Sequence, residues 1–187
     1  MGTIKTTNIE PIADNGTVTL GSSGDTITVP TGVIMSGQNY PAWYVSLSAD
    51  QTFSDGTTAK VQFNNEAFDT DSMYDNSTNY RITIPSGKAG KYYIKANVFI
   101  DAQAVSNLNR AVVYIYKNNA ITIQSFQDYR NNLPQKNNLQ VSAIMDLAVG
   151  DYIEIFGFGD TANSGTGIFR GDGSVSESWF QGFRIGS

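Results

Sequence analysis

The sequence has no cysteine and no histidine. Without Cys there is no disulfide framework, no thiol nucleophile and no thiolate metal site. Without His the commonest general base and the commonest transition-metal ligand are both missing. A hydrolase built on this chain would have to rely on carboxylates, Lys or Tyr, so the expectation is a protein that is not an enzyme and needs no cofactor. Charge is scarce too, at 16% of 187 residues, with 12 basic against 17 acidic and a net charge of −5. That balance argues against a nucleic-acid partner, whose affinity comes mainly from Lys and Arg neutralising phosphates. No apolar run approaches the roughly 20 residues that span a bilayer. Met1 to Glu10 is polar and has no apolar h-region, so neither membrane insertion nor a secretory signal is expected.

What is present is globular. Hydrophobic residues make up 40% of the chain. A domain of this length buries roughly 70% of its unfolded surface, enough to fold without a covalent or metal staple. The texture changes once along the chain. Residues 1–38 are rich in Thr, Gly and Ser and hold no aromatic residue, whereas 39–187 hold every Trp, Tyr and Phe. The boundary falls in Ser36-Gly37-Gln38-Asn39, a small polar stretch suited to a linker. In the N-terminal part, Thr17-Val18-Thr19-Leu20-Gly21 is echoed nine residues later by Thr26-Ile27-Thr28-Val29-Pro30. Each copy predicts a short strand between turn residues. An isolated hairpin is marginal in water, so Val18, Leu20, Ile27 and Val29 need a partner surface. Two are open: the main domain, or the arms of three chains wrapped together or against a larger assembly.

The main domain reads as strand nearly throughout. Lys91 to Asp101 alternates, with Tyr92, Ile94, Ala96, Val98 and Ile100 on one face. Arg110 to Lys117 is β-branched and aromatic, and Asn118-Asn119 after it is a tight-turn pair tolerant of positive φ. Ile121 to Tyr129 returns, Leu139 to Met145 alternates again, and Asp151 to Phe158 follows the Ala148-Val149-Gly150 turn. Ser178 to Ile185 closes the chain. No segment sustains an apolar period of 3.6. Many short strands joined by Gly, Asn and Ser turns predict an all-β fold, a sandwich or jelly roll.

Three segments carry a resemblance. Val61-Gln62-Phe63-Asn64 with Phe68-Asp69 reads as an early strand and its following loop. Ile84, five spacers and Gly90-Lys91-Tyr92-Tyr93-Ile94 follow. The third is Gly150-Asp151-Tyr152-Ile153-Glu154-Ile155 with the closing Ser178-Trp179-Phe180-Gln181-Gly182-Phe183. Together they resemble the globular heads of the complement C-one-q family within the tumour-necrosis-factor superfamily. Ile84 and Ile94 stand where that family's signature prefers Phe, and no collagen-like Gly-x-y stretch precedes the domain. The resemblance implies a jelly roll of about ten strands that assembles as a tight three-fold trimer. It also raises calcium, which members of the family bind near the trimer apex through Asp oxygens, although the spacing here fits no recognised calcium loop. Thr17 to Gly32 in turn looks like segments of tail-fibre and other virion proteins of phages, in which a short N-terminal anchor carries such a head.

Candidate chemistry is thin. Glu66, Asp69 and Asp71 are the densest carboxylates, at positions suited to turn hydrogen bonds; a glycosidase dyad is the sharper alternative. Gly157 to Gly173, with Asp160 and Asp172, is expected to be a long flexible loop between the last two strands; an exposed recognition loop is the alternative. Trp43 and Trp179 are expected in the core or at a subunit interface. Tyr92, Tyr114, Tyr116 and Tyr152 are the candidates for the three-fold interface, since Tyr is apolar along its ring and polar at its tip. The sequons at Asn15 and Asn76 matter only in a eukaryotic secretory setting. The expected function is a trimeric bacteriophage virion surface protein, a tail fibre or receptor-binding appendage. Its arm would contact other virion proteins and its head a host surface glycan or protein. Capsid decoration at local three-folds and a secreted complement-like glycan-binding protein are the alternatives.

Overall fold

The computed structural model describes residues 40–186 and, in the N-terminal segment, Ser23, Gly24, Thr26 and Thr31. The chain divides into two units, Met1–Gln38 and Asn39–Ser187. The arm candidates Val18, Leu20, Ile27 and Val29 lie outside the described residues.

Thirteen strands are present among the described residues. One antiparallel sheet holds β1 (Ala42–Ser46), β2 (Ala49–Phe53), β4 (Asn65–Asp69), β7 (Gly90–Asp101), β10 (Lys136–Leu147), β12 (Gly167–Asp172) and β13 (Trp179–Gly186). The other holds β3 (Thr57–Lys60), β5 (Tyr74–Asp75), β6 (Arg81–Thr83), β8 (Leu108–Lys117), β9 (Ala120–Asp128) and β11 (Tyr152–Thr161). Within the first sheet β13 lies between β1 and β7, β4 flanks β1, and β10 pairs with β7 over its whole length. In the second, β11 lies between β6 and β8, and β9 flanks β8. The count exceeds the expected ten or so because several strands have only two to five residues.

The two sheets pack face to face because the long strands β7, β8, β10 and β11 turn apolar residues to one side. Tyr92, Ile94, Ala96, Val98 and Ile100 of β7 are all fully buried, as are Ala111, Val113 and Ile115 of β8 and Ile153 and Ile155 of β11. Trp43, Phe63, Phe169 and Phe180 fill the centre, with Trp43 and Phe180 edge to face at 5.4 Å. Each large side chain buried this way contributes roughly 1.5–3 kcal/mol. The β8–β9 hairpin closes on Asn118 and Asn119 at φ 52° and 67°. Both central residues are left-handed, as the twist of a two-residue hairpin requires.

Two expectations are corrected. Gly157 to Gly173 is not a long loop: Gly157 to Thr161 complete β11 and Gly167 to Asp172 form β12. The glycines are there for space. A Cβ on Gly157 would sit 2.5 Å from the Phe169 ring, and one on Gly159 or Gly167 would sit 2.4 or 2.1 Å from the Phe53 ring. Those two rings stack at 4.7 Å in the core, so the backbone lying against them cannot carry side chains. Val61 to Asn64, expected as a strand, is an irregular connection. Val61 and Phe63 are nonetheless buried, and Val61 N–H donates to Ile155 C=O at 2.9 Å.

Candidate functional site

Burying one face of each sheet leaves the opposite residues of the same strands pointing outward. On the first sheet those residues include a group of aromatic rings. The register aligns Ala42, Phe183, Tyr93 and Ile144 in one row across β1, β13, β7 and β10. The next row, starting from β4, is Phe68, Tyr44, Gln181, Lys95 and Ser142, and beyond it Trp179 stands beside Asn97. Phe68, Tyr44 and Trp179 form a stack, with centroids 6.4 and 6.1 Å apart and rings inclined by only 23° and 24°. Lys95 Nζ lies 5.6 Å from the Trp179 ring, and Tyr93 and Phe183 are 5.6 Å apart. Phe183 is 47%, Phe68 49% and Ile144 65% exposed. Aromatic rings here alternate with Gln181, Lys95 and Ser142, the mixed apolar and polar make-up of a subunit interface.

The sequence-predicted tyrosines fall elsewhere. Tyr92 is a correction: it is fully buried in the sandwich, its hydroxyl donating to Lys88 C=O at 2.5 Å, and burial raises its pKa above the ordinary phenol value. A side chain with no exposed surface cannot meet a neighbouring subunit. Tyr114, Tyr116 and Tyr152 lie on the outward face of the second sheet, where Tyr114 and Tyr116 meet edge to face at 6.0 Å. Burial, and then Tyr114, raise the Tyr116 pKa. Tyr152 lies 4.0 Å from the Arg81 guanidinium. Trp43 is in the core and Trp179 belongs to the outward stack. Sequence reasoning missed Tyr44, Phe68, Tyr93, Ile144 and Phe183. The signal was aromatic residues at the polar positions of alternating strands.

The acidic candidates serve local structure. Asp69 accepts N–H bonds from Tyr74 at 2.6 Å and Asp71 at 3.2 Å, and Asp71 pairs with Lys88 at 2.8 Å. Glu66 lies exposed on β4. Asp160 is not in a loop but on β11, where it accepts from Arg110 Nε at 2.7 Å and Asn109 at 3.3 Å. Asp172 ends β12, and the Ser174 N–H and hydroxyl, bonded to it at 2.8 and 2.7 Å, hold its carboxyl below the usual carboxylate range. Among the described residues no group of three or more carboxylates is placed to hold one calcium or other metal ion. No helix of the described residues is long and apolar enough to cross a membrane.

No protein-family model matches the chain, and neither does any curated protein. Solved structures do. A tumour-necrosis-factor protein, Eiger, from S. frugiperda matches with a TM-score of 0.56 at 12% identity, over 79% of this chain and 92% of that one. The globular domain of zebrafish complement 1qA matches with a TM-score of 0.51 at 16% identity, over 78% of this chain and 97% of that one. The sandwich of residues 40–186 therefore has the jelly-roll fold of tumour-necrosis-factor and complement C1q head domains, as the sequence resemblance implied.

Proposed function

We propose that the protein is a non-catalytic homotrimer mounted on the outer surface of a bacteriophage particle, where its jelly-roll heads project as a receptor-binding appendage. The observation that carries the self-association is the aromatic outer face of β4, β1, β13, β7 and β10. Its occupant is a second copy of the same chain, and closing the ring on a three-fold axis follows from the family resemblance. Chemistry on a bound substrate is disfavoured by the lack of His and Cys and by the use of Asp69, Asp71 and Asp160 in turns and ion pairs. Three heads on one axis present each surface three times, which raises apparent affinity for a repetitive target without any new contact.

The virion part of the proposal rests on the Thr17–Gly32 segment and on the tail-fibre-like segments it resembles. Gold-labelled antibody against the protein, applied to intact phage particles and viewed by electron microscopy, tests it. Label at the tail is the expected result. Label spread over the head would replace the appendage with a capsid decoration protein. Unlabelled particles would overturn the virion reading and favour a secreted glycan-binding protein.

A further inference from the structure

Lys95 stands on the outward face of the first sheet without a counter-charge. It is half-buried on β7, with its Nζ 5.6 Å from the Trp179 ring. The register surrounds it with Ser142 on β10 and Gln181 on β13, and Tyr93 and Asn97 flank it on its own strand. None of these is acidic. The other cations of the face are balanced. Lys91 stands across from Asp146 and Lys136 across from Asp101, positions at which opposite charges attract. Arg170 lies 3.3 Å from Asp50 and 3.4 Å from Glu177. The carboxylates leave a matching remainder. Among the described residues every carboxylate except Glu66 either accepts from an N–H, a hydroxyl or a cation, or stands across from Lys91. Glu66 lies exposed on β4, the last strand of the same sheet. Three strand spacings, roughly 14 Å, separate β4 from β7, so Lys95 and Glu66 cannot pair within one chain.

We propose that the β4 edge of a second copy of this chain docks on the face, with Lys95 paired across the interface to Glu66 of the partner subunit. Covering the face takes the Lys95 ammonium out of water, and an ammonium buried without an anion carries a large desolvation cost. The partner must therefore bring a carboxylate. In a three-fold ring each contact is heterologous, one surface of a subunit against a different surface of the next. A face that holds Lys95 against an edge that holds Glu66 meets that condition, and three repeats close the ring with neither charge left over. The pair also decides which edge of the neighbour docks. The β10 strand, on the far side of β7, offers only Asp146, already matched by Lys91.

The inference rests on the trimeric reading, which the mass of the parent chain tests by itself. With the parent a trimer, Lys95→Glu and Glu66→Lys should each raise the concentration of half-dissociation roughly tenfold or more. The double variant, with the charges exchanged, should recover most of that loss. Light scattering over a dilution series of the full chain reads all three, and near-ultraviolet circular dichroism shows that each head keeps its fold. Arg81→Glu reverses a cation on the outward face of the other sheet, where its guanidinium lies 4.0 Å from the Tyr152 ring. It should leave the trimer at its parent strength. A parent trimer that Glu66→Lys does not weaken would overturn the pair while the trimer stands, and so would a double variant no tighter than the weaker single one. A monomeric parent would overturn the trimer and the pair with it.

Discussion

Gly159 lies so close to the ring of Phe53 that a Cβ placed on it would come within 2.4 Å of the ring's Cζ. The contact joins the second sheet, through β11, to the first, through β2, across the core. It leads to a comparison of glycines that look alike in sequence. Gly159→Ala should overpack the core and destabilise by about 1–3 kcal/mol. Gly173→Ala, with Ser48 C=O no nearer than 3.5 Å, should stay within about 0.5 kcal/mol of the parent. Denaturant melts of both variants decide it, and equal effects would mean that the glycines serve turns rather than packing.

The alternation of β7 and β10, the strands at β8 and β11 and the Asn118-Asn119 hairpin were legible, because each follows from local spacing and side-chain type. The Gly157 to Gly173 strands were not, because the rings that need those glycines, Phe53 above all, come from distant parts of the chain. The site was legible only in half. Tyr92 and Tyr93 are neighbours on β7 and point to opposite sides, so tyrosine content alone could not choose between core and surface. Parity could have: Tyr92 shares its face with Ile94, Ala96, Val98 and Ile100, which leaves Tyr93 outward.

Lys60 and Glu154 form an ion pair at 2.5 Å, with the Glu154 side chain 3% exposed and that of Lys60 29%. Lys60→Met leaves a buried carboxylate without its cation and should destabilise the fold by about 3 kcal/mol. Adding Glu154→Gln should restore part of the loss. Thermal melts of the single and double variants check this; additive losses would mean that the pair is not coupled.

Acid should unfold the head and neutral pH should not affect it. Lys117, Asn118 and the Ala148 N–H hold the Asp151 carboxyl at about 2, and the Thr78 and Ser77 N–H groups hold that of Asp75 well below its ordinary range. A carboxylate whose folded pKa lies below its unfolded one of about 3.9 adds stability above that value and loses it as pH falls through the folded one. Stability should therefore drop from about pH 4 towards pH 2. With no His, it should be level between about pH 5 and 8. Denaturant midpoints from about pH 2 to pH 8 test both arms.

Phe183 and Ile144 stand outward on the first sheet, in one row with Tyr93. Phe183→Asp, made with Ile144→Asp, should weaken self-association by about 2–4 kcal/mol per interface while near-ultraviolet circular dichroism keeps its native form. The same pair of changes at Ile121 and Phe126, exposed on the second sheet, should leave assembly intact.

The most direct test is the mass of the purified chain by size-exclusion chromatography with light scattering. The account predicts a particle of three times 20.3 kDa at micromolar concentration. A particle of 20.3 kDa at the same concentration would contradict it.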